Sequence, residues 1–298
     1  MKYLLAINGG GSKTDFLVTD MDLKSVYSYT IKSGTNPWYH GVENVLKVFR
    51  DGIESIPQNI LAGIVYCYAG ISGCKEGSHY NTDIQLLLNT YFSEVKLDGD
   101  LEPSFRSLSD SKDGYIAVAG TGTAIAHISS GGRIYYLDGV ASGGRYLGYL
   151  IGKLLLADKF STAFFEIISK YVDLSEFAKY TYREWFTNDK VLQLSVNLND
   201  LIDNEVIFRE LRPYLDLLVN QWSYRIINFA YKYNYNHREK FDLVLSGNFW
   251  NFNYIRENVI NEIRIGMNNC NILYSHDSNP ALGCIKLAKE NYCSLKKS

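Results

Sequence analysis

The segment Asn8-Gly9-Gly10-Gly11-Ser12-Lys13-Thr14 sets a run of glycines beside a lysine and two hydroxyls. Glycines let backbone N–H groups approach phosphate oxygens closely, and the lysine and hydroxyls add charge and hydrogen bonds. The chemistry on offer is phosphate binding. A Walker-type loop needs GxxxxGK[ST] leading into a helix, whereas here a strand-like stretch follows. The plain alternative is a glycine-rich hairpin turn with an incidental lysine. Gly120-Thr121-Gly122-Thr123 is a second such turn. Alone it is more often a tight turn than a ligand site, but two such turns in a duplicated fold would clamp a polyphosphate. His40, His79, His127, His237 and His276 show no metal-ligand spacing, and all read as structural or surface groups. Cys67, Cys74, Cys270, Cys284 and Cys293 form no CxxC pair, so they read as thiols in a reducing compartment.

The elements that must position these turns follow from periodicity. KYLLAIN (2–8), TDFLVTD (14–20) and VYSYTIKSG (26–34) read as a three-stranded meander around the first turn. A helix fits Val42–Ile56, a buried strand runs from Ala62 to Tyr68 and stops at AGISG, a helix covers Asn81–Phe92, and Glu94–Leu97 is a short strand. The middle of the chain repeats the opening: 113–120, 123–129 and 133–139 are three strands around the GTGT turn. This weak duplication predicts two related lobes with a cleft between them. From Leu150 to about Asn236 the chain reads as mainly helical; Ala157–Tyr182 within it reads as core or dimer surface. The strand 242–248, helix 255–265, strand 271–275 and closing helix 280–292 follow.

These residues resemble the acetate and sugar kinase, Hsp70 and actin superfamily. More narrowly, they are similar to the family joining N-acetylglucosamine kinase, archaeal hexokinase and the BadF/BadG/BcrA/BcrD ATPases. That family opens with DGGGTKT, here NGGGSKT, and carries GTGS, here GTGT. Its SGxNP and AG motifs appear as Ser33-Gly34-Thr35-Asn36-Pro37 and Ala69-Gly70, and its late glycine turn for adenosine as Ser246-Gly247-Asn248. Its closing PAxGAxxLA helix is matched by Pro280–Ala288. The resemblance touches nearly the whole chain in order. It implies a duplicated actin-like ATPase (ribonuclease H-like) α/β fold. One lobe would span 1–111 with the closing helix 280–298, the other 112–279 with a helical insert at about 150–238. It further implies an ATP-dependent sugar kinase using Mg²⁺, with ATP in the cleft, and a homodimer.

The family's base is an aspartate about 20 residues before the GTG loop. Counting back from Gly120 reaches Asp100, whose plain alternative is an N-cap for the next helix. Asp98 and Asp110 are rivals, at a strand end and in a surface turn. Asn36 and the turn containing Gly70 and Ser72 would hold substrate hydroxyls. Two departures stand out. Asn8 replaces an aspartate that helps hold hydrated Mg²⁺, an oxygen donor without charge. Where relatives read LGDEGSAYWIG, this chain reads 142–152 as SGGRYLGYLIG, so both acids are gone and Arg145 stands in one place. A guanidinium suits a carboxylate bidentately, which points the acceptor toward a sugar acid of the 2-keto-3-deoxygluconate type, ahead of N-acetylglucosamine or a hexose. The plain alternative is a surface arginine in a diverged loop. Two other readings are an ATPase activator of the BadF kind and a nucleotide-binding regulator without catalysis. The scattered cysteines disfavour the first, while Asn8 and the missing acids sustain the second.

Composition narrows the field. With 298 residues, 46% of them hydrophobic and 21% charged, the chain can bury a large core without staples. A net charge of -2 with no basic run argues against a nucleic-acid or membrane-surface binder. No stretch approaches the ~20 apolar residues of a membrane span, and the N-terminal apolar run is too short for a signal peptide. A cytoplasmic protein acting on a small molecule is expected.

Overall fold

Leu4, Leu5, Ala6 and Ile7 are fully buried, as befits an apolar run too short for a helix and covered on both faces. They form the middle of the first strand in the computed structural model, which describes residues 1–74, 78–120, 122–138, 143–181, 184–233 and 239–297. In chain order, β1 (Tyr3–Gly9), β2 (Thr14–Asp20) and β3 (Ser25–Ile31) precede α1 (Pro37–His40), α2 (Val42–Glu54) and α3 (Gln58–Leu61). Then come β4 (Ile64–Ile71), α4 (Asn81–Tyr91), β5 (Val95–Asp98) and α5 (Leu101–Arg106). β6 (Gly114–Ala119), β7 (Thr123–Ile128) and β8 (Ile134–Asp138) begin the repeat. A helical stretch follows: α6 (Gly144–Leu156), α7 (Thr162–Ile168), α8 (Leu174–Phe177), α9 (Glu184–Thr187), α10 (Asp189–Asp200) and α11 (Glu205–Lys232). The chain ends with β9 (Phe241–Ser246), α12 (Asn253–Gly266), β10 (Cys270–Tyr274) and α13 (Pro280–Leu295).

The first sheet has the order β3-β2-β1-β4-β5, with β2 antiparallel to both β1 and β3, and β4 parallel to β1 and β5. The second has the order β8-β7-β6-β9-β10, which is the same plan carried by the repeated strands. The duplication read from apolar runs ending in glycine is thus a duplication of topology.

Helices cover both faces of the first sheet. Val45, Phe49 and Ile53 of α2 and Ile84 and Leu88 of α4 pack on Leu5, Ile7, Phe16 and Val18. Across the sheet, Ala281, Cys284, Ile285 and Ala288 of α13 pack on Leu4, Ala6, Leu17, Tyr66 and Tyr68. Each fully buried large side chain contributes roughly 1.5–3 kcal/mol relative to exposure. Asn279 accepts from Ala281 N at 3.0 Å and Pro280 opens the helix, so α13 starts with a satisfied N-terminus.

Two elements differ from the sequence reading. β4 runs on to Ile71, so Ala69-Gly70 lies inside the strand and does not stop it. α6 begins at Gly144, so the segment 142–152, expected to line the sugar site and to turn helical only from Leu150, is largely helix. Glycines at 144, 148 and 152 recur every fourth residue and let α6 lie close to its neighbours. A Cβ on Gly148 would stand 1.8 Å from Val191 O, and one on Gly152 2.6 Å from the Trp185 ring. Within Ala157–Tyr182, Phe164 and Ile168 are core while Tyr171 is exposed.

The chain forms two compact units. Met1–Ile116, Ile128–Ile134 and Leu273–Ser298 make one, and Ala117–His127 with Tyr135–Ile272 make the other. α13, from the end of the chain, packs on the first sheet. Among the described residues no helix is long and apolar enough to cross a membrane.

Candidate functional site

In the first unit the turn between β1 and β2 is braced from several sides. Gly10 N donates to Lys13 O at 3.1 Å, closing the hairpin, and Thr35 N donates to Gly10 O at 2.9 Å. The His40 ring nitrogen Nε2 lies 2.8 Å from Gly11 O. Gly34 must be glycine, since a Cβ there would stand 2.3 Å from Gly11 O. The Thr14 hydroxyl donates to Ser33 O at 2.8 Å and meets Thr35 Oγ1 at 3.2 Å. Thr14 is fully buried, so of the expected phosphate-binding residues it is a scaffold and not a ligand. The Gly10 amide is likewise committed. Gly9 is hemmed in by Thr35, whose Oγ1 would stand 1.9 Å from an added Cβ. What faces outward is the tip, Gly11-Ser12-Lys13. No metal-like role fits His40, but it is a brace that spacing alone did not reveal.

A polar row crosses the sheet at the foot of this turn. In register, Thr30, Asp15, Asn8, Gly70 and Asp98 lie side by side on β3, β2, β1, β4 and β5. Paired residues share a face. Asp15 is buried. Its Oδ1 accepts from the Thr30 hydroxyl at 2.7 Å, and its Oδ2 lies 3.0 Å from Lys13 Nζ without a hydrogen bond. Asn8 is 8% exposed, and its amide bonds to nothing among the described residues.

The segment after β4 ties three expected groups together. Ser72 N donates to Gly9 O at 2.8 Å, joining it to the phosphate turn. Asn36 Nδ2 donates to Ser72 Oγ at 3.3 Å, while Asn36 Oδ1 caps α1 by accepting from Trp38 N. Gly73, at φ +87°, lies against Asn36 on this side. Cys74 lies near Gly99, and the charge of Asp100 helps raise the Cys74 thiol. Gly70, expected to meet substrate, has a packing reason instead: a Cβ there would stand 2.7 Å from Pro103 and 3.0 Å from Cys284 Sγ. Its lack of a side chain lets α5 and α13 close on β4.

Asp100 is half-buried at the start of α5, where its carbonyl accepts from Ser104 N but its side chain makes no capping bond to the helix. The plain N-cap reading is therefore not what the side chain does. Asp98 accepts from Gly99 N and pairs with Lys96 at 3.3 Å. Asp110 is exposed and pairs with Lys286 at 2.8 Å, which holds its carboxyl below the usual range.

In the second unit, Gly120 N donates to Gly122 O at 2.9 Å, forming a tight turn at the end of β6. Thr121 lies outside the described residues; Gly122 is exposed and Thr123 half-buried. Gly247, at φ +105°, packs against this turn: a Cβ there would stand 2.3 Å from Ala119 O. Ser246 is buried at the end of β9, while Asn248 is exposed and opens a short 3₁₀ turn. Gly143, the N-cap of α6, also abuts the turn, with its Cβ position 3.0 Å from Gly120 O.

Arg145 is placed differently from the expectation. Its Nη1 donates to Asn188 O at 3.0 Å, and its Nη2 lies 3.3 Å from Asp189 Oδ1. Its side chain is only 14% exposed. The fork that was to grip a substrate carboxylate instead fastens α6 to the start of α10.

The thiols fit a structural role. Burial pushes Cys67 and Cys284 well up and Cys74 up to about 12, so all three stay neutral. Among the described residues no group of three or more His, Cys, Asp or Glu could hold a metal ion by itself.

No family model and no curated protein matches the chain. Solved structures do. A candidate N-acetylglucosamine kinase from Porphyromonas gingivalis superposes with a TM-score of 0.69 at 16% identity, covering 98% of this chain and 100% of that one. Another from Chromobacterium violaceum gives 0.68 at 14% identity, covering 97% and 99%. A ROK family glucokinase from Streptomyces griseus, solved with glucose and AMPPNP, gives 0.66 at 10% identity, covering 97% and 99%. The chain has the actin-like ATPase fold, α/β with two lobes and a mixed five-stranded sheet in each.

Proposed function

We propose that this protein is an ATP-dependent kinase that phosphorylates a hydroxyl of a small sugar. Fold alone does not fix chemistry. One observation carries the reading: the segment Ile71–Cys74 bonds to the phosphate turn through Ser72 N, meets Asn36 through Ser72 Oγ, and lies beside Gly99 and Asp100. These contacts support assigning the phosphate to the turn's tip, the acceptor hydroxyls to Asn36 and Ser72, and the base to Asp100, all near the carboxyl ends of β1, β4 and β5. The sugar kinases that share the fold, one solved with AMPPNP and glucose, support the same assignment.

The roles follow from the chemistry of each group. Gly11, Ser12 and Lys13 offer amides, a hydroxyl and an ammonium to phosphate oxygens, as do Gly120–Thr123 in the second unit. Ser246–Asn248 take the adenosine. Asn36 and Ser72 orient the acceptor. Asp100 accepts the proton of the attacking hydroxyl, a contribution of typically ~10²–10⁴-fold. The buried Asp15 Oδ2, which accepts no hydrogen bond, and the amide oxygen of Asn8 on the neighbouring strand suit a hydrated divalent cation, which prefers one or two carboxylates plus phosphates and water. When bound, Mg²⁺ would neutralise charge on the transferring phosphoryl group.

The acceptor choice changes with Arg145. Because Arg145 bonds Asn188 O and faces Asp189, a substrate carboxylate would have to displace Asp189 to meet its fork, and neutral sugars come first. The test is ADP release with Mg·ATP against glucose, N-acetylglucosamine, gluconate and 2-keto-3-deoxygluconate. Turnover on one of them that falls at least about 100-fold in Asp100→Asn is expected. ATP binding without release on any acceptor would replace the kinase by a nucleotide-binding regulator.

A further inference from the structure

The face of the first sheet beneath α13 is apolar along β1, β2 and β4, with Leu4, Ala6, Leu17, Tyr66 and Tyr68 in one cluster. At its end the pattern breaks with Asn8 and Asp15, paired directly across two strands. Burying a carboxylate is costly unless it is paired and hydrogen-bonded. Asp15 is only partly compensated. Thr30 serves Oδ1, but Oδ2 is buried without a hydrogen bond, and the cation 3.0 Å from it is the Lys13 ammonium, on a side chain that is 60% exposed. Beside it Asn8 is 8% exposed as a residue, and its side chain makes no hydrogen bond among the described residues. Asp15 Oδ2 and the amide oxygen of Asn8 thus share a face at the foot of the phosphate turn, and neither accepts a hydrogen bond among the described residues.

We propose that Asp15 supplies the negative charge that Asn8 does not, and that Lys13 is a resident cation which a hydrated divalent ion exchanges for. Without ligand, the ammonium neutralises Asp15. When phosphate oxygens arrive at Gly11–Lys13 they draw the ammonium outward, uncovering Oδ2. A metal-bound water then donates to Asp15 and another to the Asn8 amide oxygen. The exchange keeps a positive charge over the buried carboxylate in both states. This rests on the reading that the turn binds nucleotide phosphate.

The experiment is Mn²⁺ binding to the full-length protein by electron paramagnetic resonance, with and without ADP, alongside ADP affinity in EDTA. In Asp15→Asn, Mn²⁺ affinity in the presence of ADP should fall about 10–100-fold, the usual effect of losing an outer-sphere partner. Metal-free ADP affinity should not fall, because the Lys13 ammonium that Asp15 holds is then free for phosphate. Adding Asn8→Asp to that variant should recover most of the loss. Lys13→Met should raise Mn²⁺ affinity without ADP, and should not do so in an Asp15→Asn background, where the carboxylate that the ammonium covered is gone. Should Asp15→Asn fail to fold, Asn8→Asp in the wild type decides: a gain under about threefold means the charge is already present, and a gain of about tenfold or more overturns the proposal. Unchanged Mn²⁺ binding in a folded Asp15→Asn protein that binds ADP overturns this proposal alone. A wild type that binds no ADP removes the nucleotide reading, and this proposal with it.

Discussion

Arg106 shows how a residue outside the chemistry sets its geometry. Its side chain is only 5% exposed, and Nη2 lies 2.5 Å from Glu290 Oε1, so it pins the end of α5, the helix that Asp100 precedes, to α13. Burial would raise the Glu290 carboxyl, but the hydrogen bond and charge of Arg106, with Lys112, outweigh it and leave it lowered. A lowered folded value gives stability that is present above the unfolded glutamate pKa of about 4.3 and lost as pH falls through the folded value. Glu290→Gln should therefore flatten the acid limb of the stability curve. At neutral pH it should cost about 1–3 kcal/mol in urea unfolding, since a buried guanidinium loses its charged acceptor while solvent screens the rest. An unchanged acid limb would show that the pair does not hold α5. At this scale the sequence revealed little: Asp15, His40 and Thr35 matter through partners that spacing does not name.

At the scale of elements, glycines do two different jobs that the sequence writes with one letter. Gly148 is a packing glycine, since any Cβ would collide with the backbone of α10. Gly148→Ala should lower stability by about 1–3 kcal/mol, the usual cost of overpacking, with a matching fall in melting temperature. Gly122 has nothing within 4 Å of where a Cβ would sit. Gly122→Ala should melt within about 0.5 kcal/mol of the wild type, as surface changes do, yet weaken ADP binding measured by calorimetry. If Gly122→Ala binds ADP as well as the wild type, the second turn does not address phosphate. The meander, α2, α4 and α13 were legible because their apolar periods are long and regular. The first turns of α6 were missed, helix being read only from Leu150, because resemblance to relatives outweighed the four-residue glycine repeat.

For the molecule as a whole, binding should register as stability. At a concentration about 100 times its Kd, a nucleotide that binds only the folded chain adds about 2.7 kcal/mol. Differential scanning fluorimetry with Mg·ADP should show a clear upward shift, and no shift at millimolar nucleotide would count against every nucleotide-binding reading. The sequence by itself determined where most strands lie along the chain and that the opening meander is repeated, because buried strands need continuous apolar runs and tight turns need glycine, and both signals are local. It determined also that the first turn carries a lysine and that Asp100 precedes the second turn at a set distance. Tertiary structure decided which groups are free to act. Thr14 turns inward because its place opposite Gly9 points it at Ser33, Arg145 is spent because α10 presents Asn188 and Asp189 to it, and Asn36 meets Ser72 across 36 residues of chain. Such pairings depend on how distant strands and helices stack. No local pattern encodes them, and burial sets which polar atoms are left for a ligand.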